Sequence, residues 1–122
     1  MKFTRSHEWI EIEADHSAII GITPYAQKEL GDIVYVELPK IGKEIQAGQQ
    51  VVVLESTKAA ADVYAPASGT ITAVNESLQQ MPELINQSAD QEGWLFKMQL
   101  SQSAELDALM DKKAYEAMLS GT

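Results

Sequence analysis

Few residues in this chain are equipped for chemistry, and the most suggestive of them is a lysine. Lys58 lies in the run Glu55-Ser56-Thr57-Lys58-Ala59-Ala60-Ala61-Asp62, between the strand-like segments Val51–Leu54 and Val63–Ala65. A lysine there stands out into solvent, flanked by small residues that do not screen it. By spacing alone, an ordinary exposed lysine is the better reading. Ser56, two residues earlier, suggests a serine–lysine dyad in which the amine takes the hydroxyl proton. Residues two apart on a strand point the same way without close contact, however, and nothing else in the chain offers an oxyanion hole. His7 and His16 are nine residues apart, without ligand spacing, and fit the surface. The glycines stand singly at turns, so there is no phosphate-cradling loop. The absence of cysteine removes disulfides, thiolate nucleophiles and zinc sites of the paired-cysteine type. The carboxylates are scattered as on a solvated surface.

The rest of the chain must therefore be read for what positions Lys58. With 122 residues, of which 45% are hydrophobic, there is material for one domain with a real core. That domain is expected to span residues 1–122, with a core over about 8–100 and a C-terminal helical segment over about 103–120. A net charge of −9 argues against nucleic acid as a partner and is met equally by solubility or by attraction to basic surfaces. No apolar run approaches the roughly 20 residues that cross a bilayer. The first residues lack an apolar signal region. A soluble, cytoplasmic monomer without a membrane association is expected.

Strands dominate the pattern. Trp9–Glu13 alternates, Ala14–Ser17 offers a turn and Ala18–Ile22 is apolar, which reads as a hairpin. Thr23-Pro24 is a helix start, and Gly31 ends the short helix that follows. Ile33–Leu38 is β-branched and aromatic and stops at Pro39. Gly42 and Ala47-Gly48 mark turns. Val51–Glu55, Asp62–Ala65, Thr70–Val74 and Trp94–Leu100 are further strands, with a helical turn around Pro82–Ile85. Ser103–Met110 and Lys112–Leu119 both carry helical spacing. Many short strands with helices as trim indicate a barrel or sandwich.

Several separated blocks of this chain resemble one family. Glu55-Ser56-Thr57-Lys58-Ala59 is similar to the attachment hairpin of lipoyl-carrier domains. The continuation through Asp62-Val63-Tyr64-Ala65-Pro66 and Ser68-Gly69 resembles the glycine cleavage system H proteins. So do His7-Glu8-Trp9, Gly21-Ile22-Thr23 with Tyr25-Ala26, Leu30–Pro39, Asn75-Glu76, Pro82–Asn86 and Gly93–Lys97, in the family's order over nearly the whole length. Biotin carriers bracket their lysine with methionines, whereas Thr57 and Ala59 stand here. Lipoyl domains of 2-oxoacid dehydrogenases usually carry Asp before the lysine and lack the Leu30–Pro39 block. One departure is Ala89-Asp90-Gln91, where the family commonly has a rigid proline.

The resemblance implies a mostly β lipoyl/biotinyl-type barrel-sandwich hybrid with short helices and a C-terminal helical pair. It implies a non-catalytic carrier with lipoate covalently bound to Lys58, attached by a lipoate ligase or lipoyltransferase. The implied partners are the pyridoxal-phosphate (PLP) glycine decarboxylase, the tetrahydrofolate-dependent aminomethyltransferase and dihydrolipoamide dehydrogenase. By motif position, Ser6, Glu8 and Asp62 would shelter the loaded arm, and Glu55 and Gly69 would serve recognition during lipoylation. Gly69 would equally serve its turn alone. Two other readings compete: an H-like relay that donates lipoate to other complexes, and a small interaction protein or Ser56–Lys58 enzyme with unmodified Lys58.

Overall fold

Two antiparallel sheets face each other across a shared apolar layer in the computed structural model, which describes residues 1–121. The first hairpin sets the frame. Strands β2 (Glu8–Ile12) and β3 (Ser17–Ile22) pair with Ile10 opposite Ile20. Between them Asp15 and His16 both adopt positive φ, 58° and 61°, as a two-residue turn matched to strand twist demands. A short strand β1 (Lys2–Phe3), which the sequence pattern does not announce, adds to the outer edge of β2.

Thr23 then caps α1 (Pro24–Leu30), its Oγ1 accepting the Ala26 N–H at 3.2 Å. The helix leads into β4 (Ile33–Glu37), and β5 (Glu44–Ile45) follows. A second hairpin comprises β6 (Gln50–Ser56) and β7 (Ala60–Tyr64), and β8 (Gly69–Val74) comes next. A 3-10 turn at Glu76–Gln79 and α2 (Glu83–Ser88) precede β9 (Phe96–Leu100). The larger sheet runs β1-β2-β3-β9-β8-β5 and the smaller β4-β6-β7. Ile10, Ile20, Ile71, Phe96 and Met98 from the first meet Val36, Val52, Leu54 and Val63 from the second, with Leu78 and Ile85 closing the end. This is the expected mostly β, two-sheet architecture with helices as trim.

The expected C-terminal helical pair is present, its first member a 3-10 helix over Ser103–Ala108 with no buried residue. It is pinned at its middle and just beyond its end: Glu105 accepts the Ser68 N–H and Oγ–H at 2.7 and 2.8 Å, and Met110 exchanges two backbone bonds with Phe3. These anchors set the path of the segment. The second helix, α3 (Lys112–Leu119), forms as the spacing predicts, capped by Asp111. It packs on Phe3 and Trp9, so that β2 is covered on both faces: Ile10 by the core, Trp9 by α3.

Gly69 opens β8 in the larger sheet and is buried, with ordinary rather than left-handed φ. A Cβ there would collide with the backbone oxygen of Gln99 and meet the Met98 methyl at 2.9 Å. Its smallness is thus required by the close approach of β9, not by a turn. Gly69→Ala is expected to destabilise the protein by about 1–3 kcal/mol, the usual range for overpacking. The check is a lower urea midpoint at unchanged slope; a variant as stable as the parent would show that β8 and β9 can separate without strain.

Candidate functional site

The β6–β7 hairpin is short because one side chain organises its turn. Glu55 pairs with Ala60 at its last rungs, and Ser56 N–H donates to the Ala59 carbonyl at 2.9 Å. The Ser56 Oγ accepts the N–H groups of Lys58 and Ala59 at 3.0 and 3.1 Å and donates to the Ala59 carbonyl at 3.0 Å. Its hydroxyl is engaged by the turn, which leaves no free proton for the dyad with Lys58. The Thr57 N–H donates to the Asp32 carbonyl at 3.0 Å, fastening the tip to the start of β4. Lys58 is left exposed at the point of the hairpin.

The stem of Lys58 is nonetheless placed. It lies across Gly31, where an added Cβ would sit 3.4 Å from Cε and 3.5 Å from Cδ. Gly31, at φ 84°, follows Leu30 at the end of α1 and offers the methylenes a surface without a side chain. Glu29 and Leu30, the residues just before it, form part of the wall of a cleft of about 160 Å³. The lysine therefore emerges beside that cleft.

Ser6 and Glu8, together with the distant Asp62, line this one cleft along with His7, Glu29 and Leu54. Glu8 is the most constrained of them, with 2% of its surface exposed. Its Oε1 accepts from the Thr4 and Ser6 hydroxyls at 2.5 and 2.6 Å, and its Oε2 accepts the Tyr64 N–H at 3.2 Å. Tyr64 can make that bond because β7 is an edge strand. Asp62 is exposed on β7, opposite Val53. Among the described residues, Glu8, Glu29 and Asp62 make no ion pair, so the cleft gathers three carboxylates with no cation of its own. An ammonium group suits such a place.

Glu55 and Gly69 lie outside this cleft. Glu55 is exposed on β6, between Tyr35 and Ala60, and Gly69 is held under β9. A separate, mostly apolar groove of about 510 Å³ is lined by Phe3, Trp9, Tyr25 and Tyr115 among others, but includes no hairpin residue. Of the two, it is the smaller cleft that Ser6, Glu8 and Asp62 line.

Sequence reasoning missed His7, which lines the cleft, and Tyr115, which contacts it from the neighbouring groove. His7 is not on the open surface: it is half-buried at φ 73°, and its Nδ1 lies 2.8 Å from the Tyr115 hydroxyl. Its ring also packs on Tyr25, with centroids 4.8 Å apart. Tyr115 in turn contacts Thr23 Oγ1 at 2.7 Å, and burial pushes its phenol up from the ordinary range, against a smaller opposing effect of the Thr23 hydrogen bond. The available signal was slight: a lone Tyr on the apolar side of α3, 108 positions from its partner.

The Ala89-Asp90-Gln91 loop is ordered without a proline. The Ala89 carbonyl accepts the Trp9 Nε1–H at 3.0 Å, and the Ser88 carbonyl accepts the N–H groups of Gln91 and Gly93.

The chain is similar to known proteins over nearly its whole length. A family model described as Glycine cleavage H-protein matches residues 1–122. A glycine cleavage system H protein of Thermotoga maritima is 55% identical over 115 residues, covering 94% of this chain and 92% of the relative. One from Rhodospirillum rubrum is 51% identical over 117 residues, covering 96% and 93%. The crystal structure of a glycine cleavage system H protein from Mycobacterium marinum superposes with a TM-score of 0.90 at 34% identity, over 98% of this chain and 95% of that one. With its two-sheet frame, exposed hairpin lysine and full-length match, the chain belongs to the glycine cleavage H-protein family.

Proposed function

We propose that this chain is the lipoyl-bearing shuttle of a glycine cleavage system, with the lipoyl group held as an amide on Lys58. The single observation that carries this reading is the placement of Lys58: exposed at a rigid tip, with its stem lying beside an anionic cleft. The residues fit the group. The turn leaves the Lys58 amine accessible to an acylating enzyme, whether a lipoate ligase or a lipoyltransferase, and Gly31 leaves room for the stem. Bound there, lipoamide would supply the reactive sulfurs, while the protein supplies position.

In this reading the chain carries the aminomethyl group from the PLP-dependent decarboxylase to the tetrahydrofolate-dependent aminomethyltransferase, then electrons to dihydrolipoamide dehydrogenase, all in the cytoplasm. The chain itself is a monomeric carrier without catalysis of its own. Its residues have three tasks. Lys58 presents the arm at high local concentration once the hairpin docks. Glu8 and Asp62 offer negative charge to the cargo ammonium, and Ser6 orients Glu8 through its hydroxyl. Leu54 and the other apolar lining limit water at the cleft. Glu55, exposed on the outer face of the hairpin, remains available to the lipoylating enzyme, whereas the role of Gly69 in that step is indirect, through the position of β8.

Incubation with a lipoate ligase, lipoic acid and ATP should add one lipoyl group by intact mass, mapped to Lys58, and none to Lys58→Ala. Because an exposed tip contributes little to stability, Lys58→Ala should melt like the parent. No addition to a folded parent would refute the carrier reading. A glycine–bicarbonate exchange assay with the decarboxylase should be positive for the lipoylated protein; a negative result with full lipoylation would favour a lipoyl relay.

Glu8→Ala and Asp62→Ala should still accept lipoate but lose the loaded form faster. For Glu8 we expect a change of about tenfold, equivalent to roughly 1.4 kcal/mol, near the lower end for one hydrogen bond to a charged group. Asp62, more exposed, should show a smaller effect. Equal loaded-form lifetimes in parent and both variants would remove the shelter role from these residues.

A further inference from the structure

The C-terminal helix reaches His7, a residue of the cleft wall, through one hydroxyl. Tyr115 is 5% exposed on α3, its ring stacked on Phe3 at 4.7 Å, and its Oη contacts both Thr23 Oγ1 and His7 Nδ1. The direction of these bonds follows from counting protons. Thr23 Oγ1 accepts the Ala26 N–H, and among the described residues Tyr115 Oη is the one acceptor within reach of its own proton, so Thr23 donates to Tyr115. Tyr115 then gives its proton to His7 Nδ1, which must be the unprotonated nitrogen. The network therefore assigns His7 the tautomer with hydrogen on Nε2.

His7 needs such support. It holds a positive φ of 73°, which a residue other than glycine rarely adopts and which persists where surrounding contacts over-determine it. Its two chain neighbours are Ser6 and Glu8, both directed into the cleft and bonded to each other at 2.6 Å. Fixing residue 7 fixes the turn from which both side chains reach.

We propose that Tyr115 is a positioning residue for the cleft: its hydroxyl locks the His7 ring and, through that turn, aims Ser6 and Glu8 at the sheltered amine. The inference rests on the shelter role proposed for Glu8 and assigns α3 a part in it beyond covering Trp9. Tyr115→Phe is the selective test, since it deletes the hydroxyl and retains the stacked ring and the helix packing. Its loaded-form lifetime is expected to fall about fivefold, the scale of one net hydrogen bond, with lipoylation unchanged. Two-bond proton–nitrogen correlation spectra of the unmodified protein should show His7 as the single Nε2–H tautomer in the parent and as a mixture in Tyr115→Phe.

His7→Asn, which tolerates positive φ, completes a double-mutant cycle. In that background Tyr115→Phe should shorten the lifetime no further, whereas additive losses would overturn the proposal. A Tyr115→Phe lifetime equal to the parent's, with Glu8→Ala shortened, would overturn the positioning role and leave the shelter reading intact. Parental lifetimes in both Tyr115→Phe and Glu8→Ala would remove the shelter reading and this inference with it.

Discussion

The arrangement of the site depends on a buried carboxylate. Glu8 belongs to β2 in the larger sheet, yet one of its oxygens takes a backbone proton from Tyr64 on β7 in the smaller one. The other oxygen gathers Thr4 and Ser6, and the Glu8 N–H returns a bond to Thr4 Oγ1 at 3.0 Å. Desolvating a carboxylate without donors would be strongly unfavourable. Here neutral donors offset that penalty, and among the described residues no cation pairs with the carboxylate. The same contacts close the turn at residues 4–8, join the sheets at their edge and leave a negative centre at the base of the cleft.

The hairpin answers a different constraint. Its tip must be rigid enough to present a lysine at a defined point, yet the lysine must project freely. Ser56 meets the first demand by bonding three backbone groups around itself, and Thr57 ties the turn to Asp32. The alanines at 59–61 meet the second by adding little bulk beside Lys58. Gly31 then sets where the stem rests. The position of the amine is therefore decided by residues that have no chemistry of their own.

Much of the fold was legible because its signals are local. Thr23-Pro24 caps α1 within one turn, the Asp15-His16 turn joins adjacent strands, and the turn at Lys58 is closed by its neighbour Ser56. The motif positions Ser6, Glu8 and Asp62 were legible by resemblance, and they do line one cleft. What stayed hidden was non-local. The burial of Glu8 requires an edge strand 56 positions later, the need for glycine at position 69 comes from Gln99, and the half-buried state of His7 comes from Tyr115. That the first member of the C-terminal helical pair takes the 3-10 form goes with the distant Glu105–Ser68 anchor, which apolar spacing does not report. Strand β1 was too short to carry a period.

This division between near and far contacts bears on the order in which the molecule acquires its properties. The hairpin around Lys58 is closed by pairs such as Glu55–Ala60, a loop of low entropic cost whose early closure topology favours. The cleft is closed by contacts spanning 56 and 108 positions and needs nearly the whole chain. On the proposed function, a nascent molecule would therefore present its lysine before it had a refuge, and competence for modification would precede competence for safe carriage.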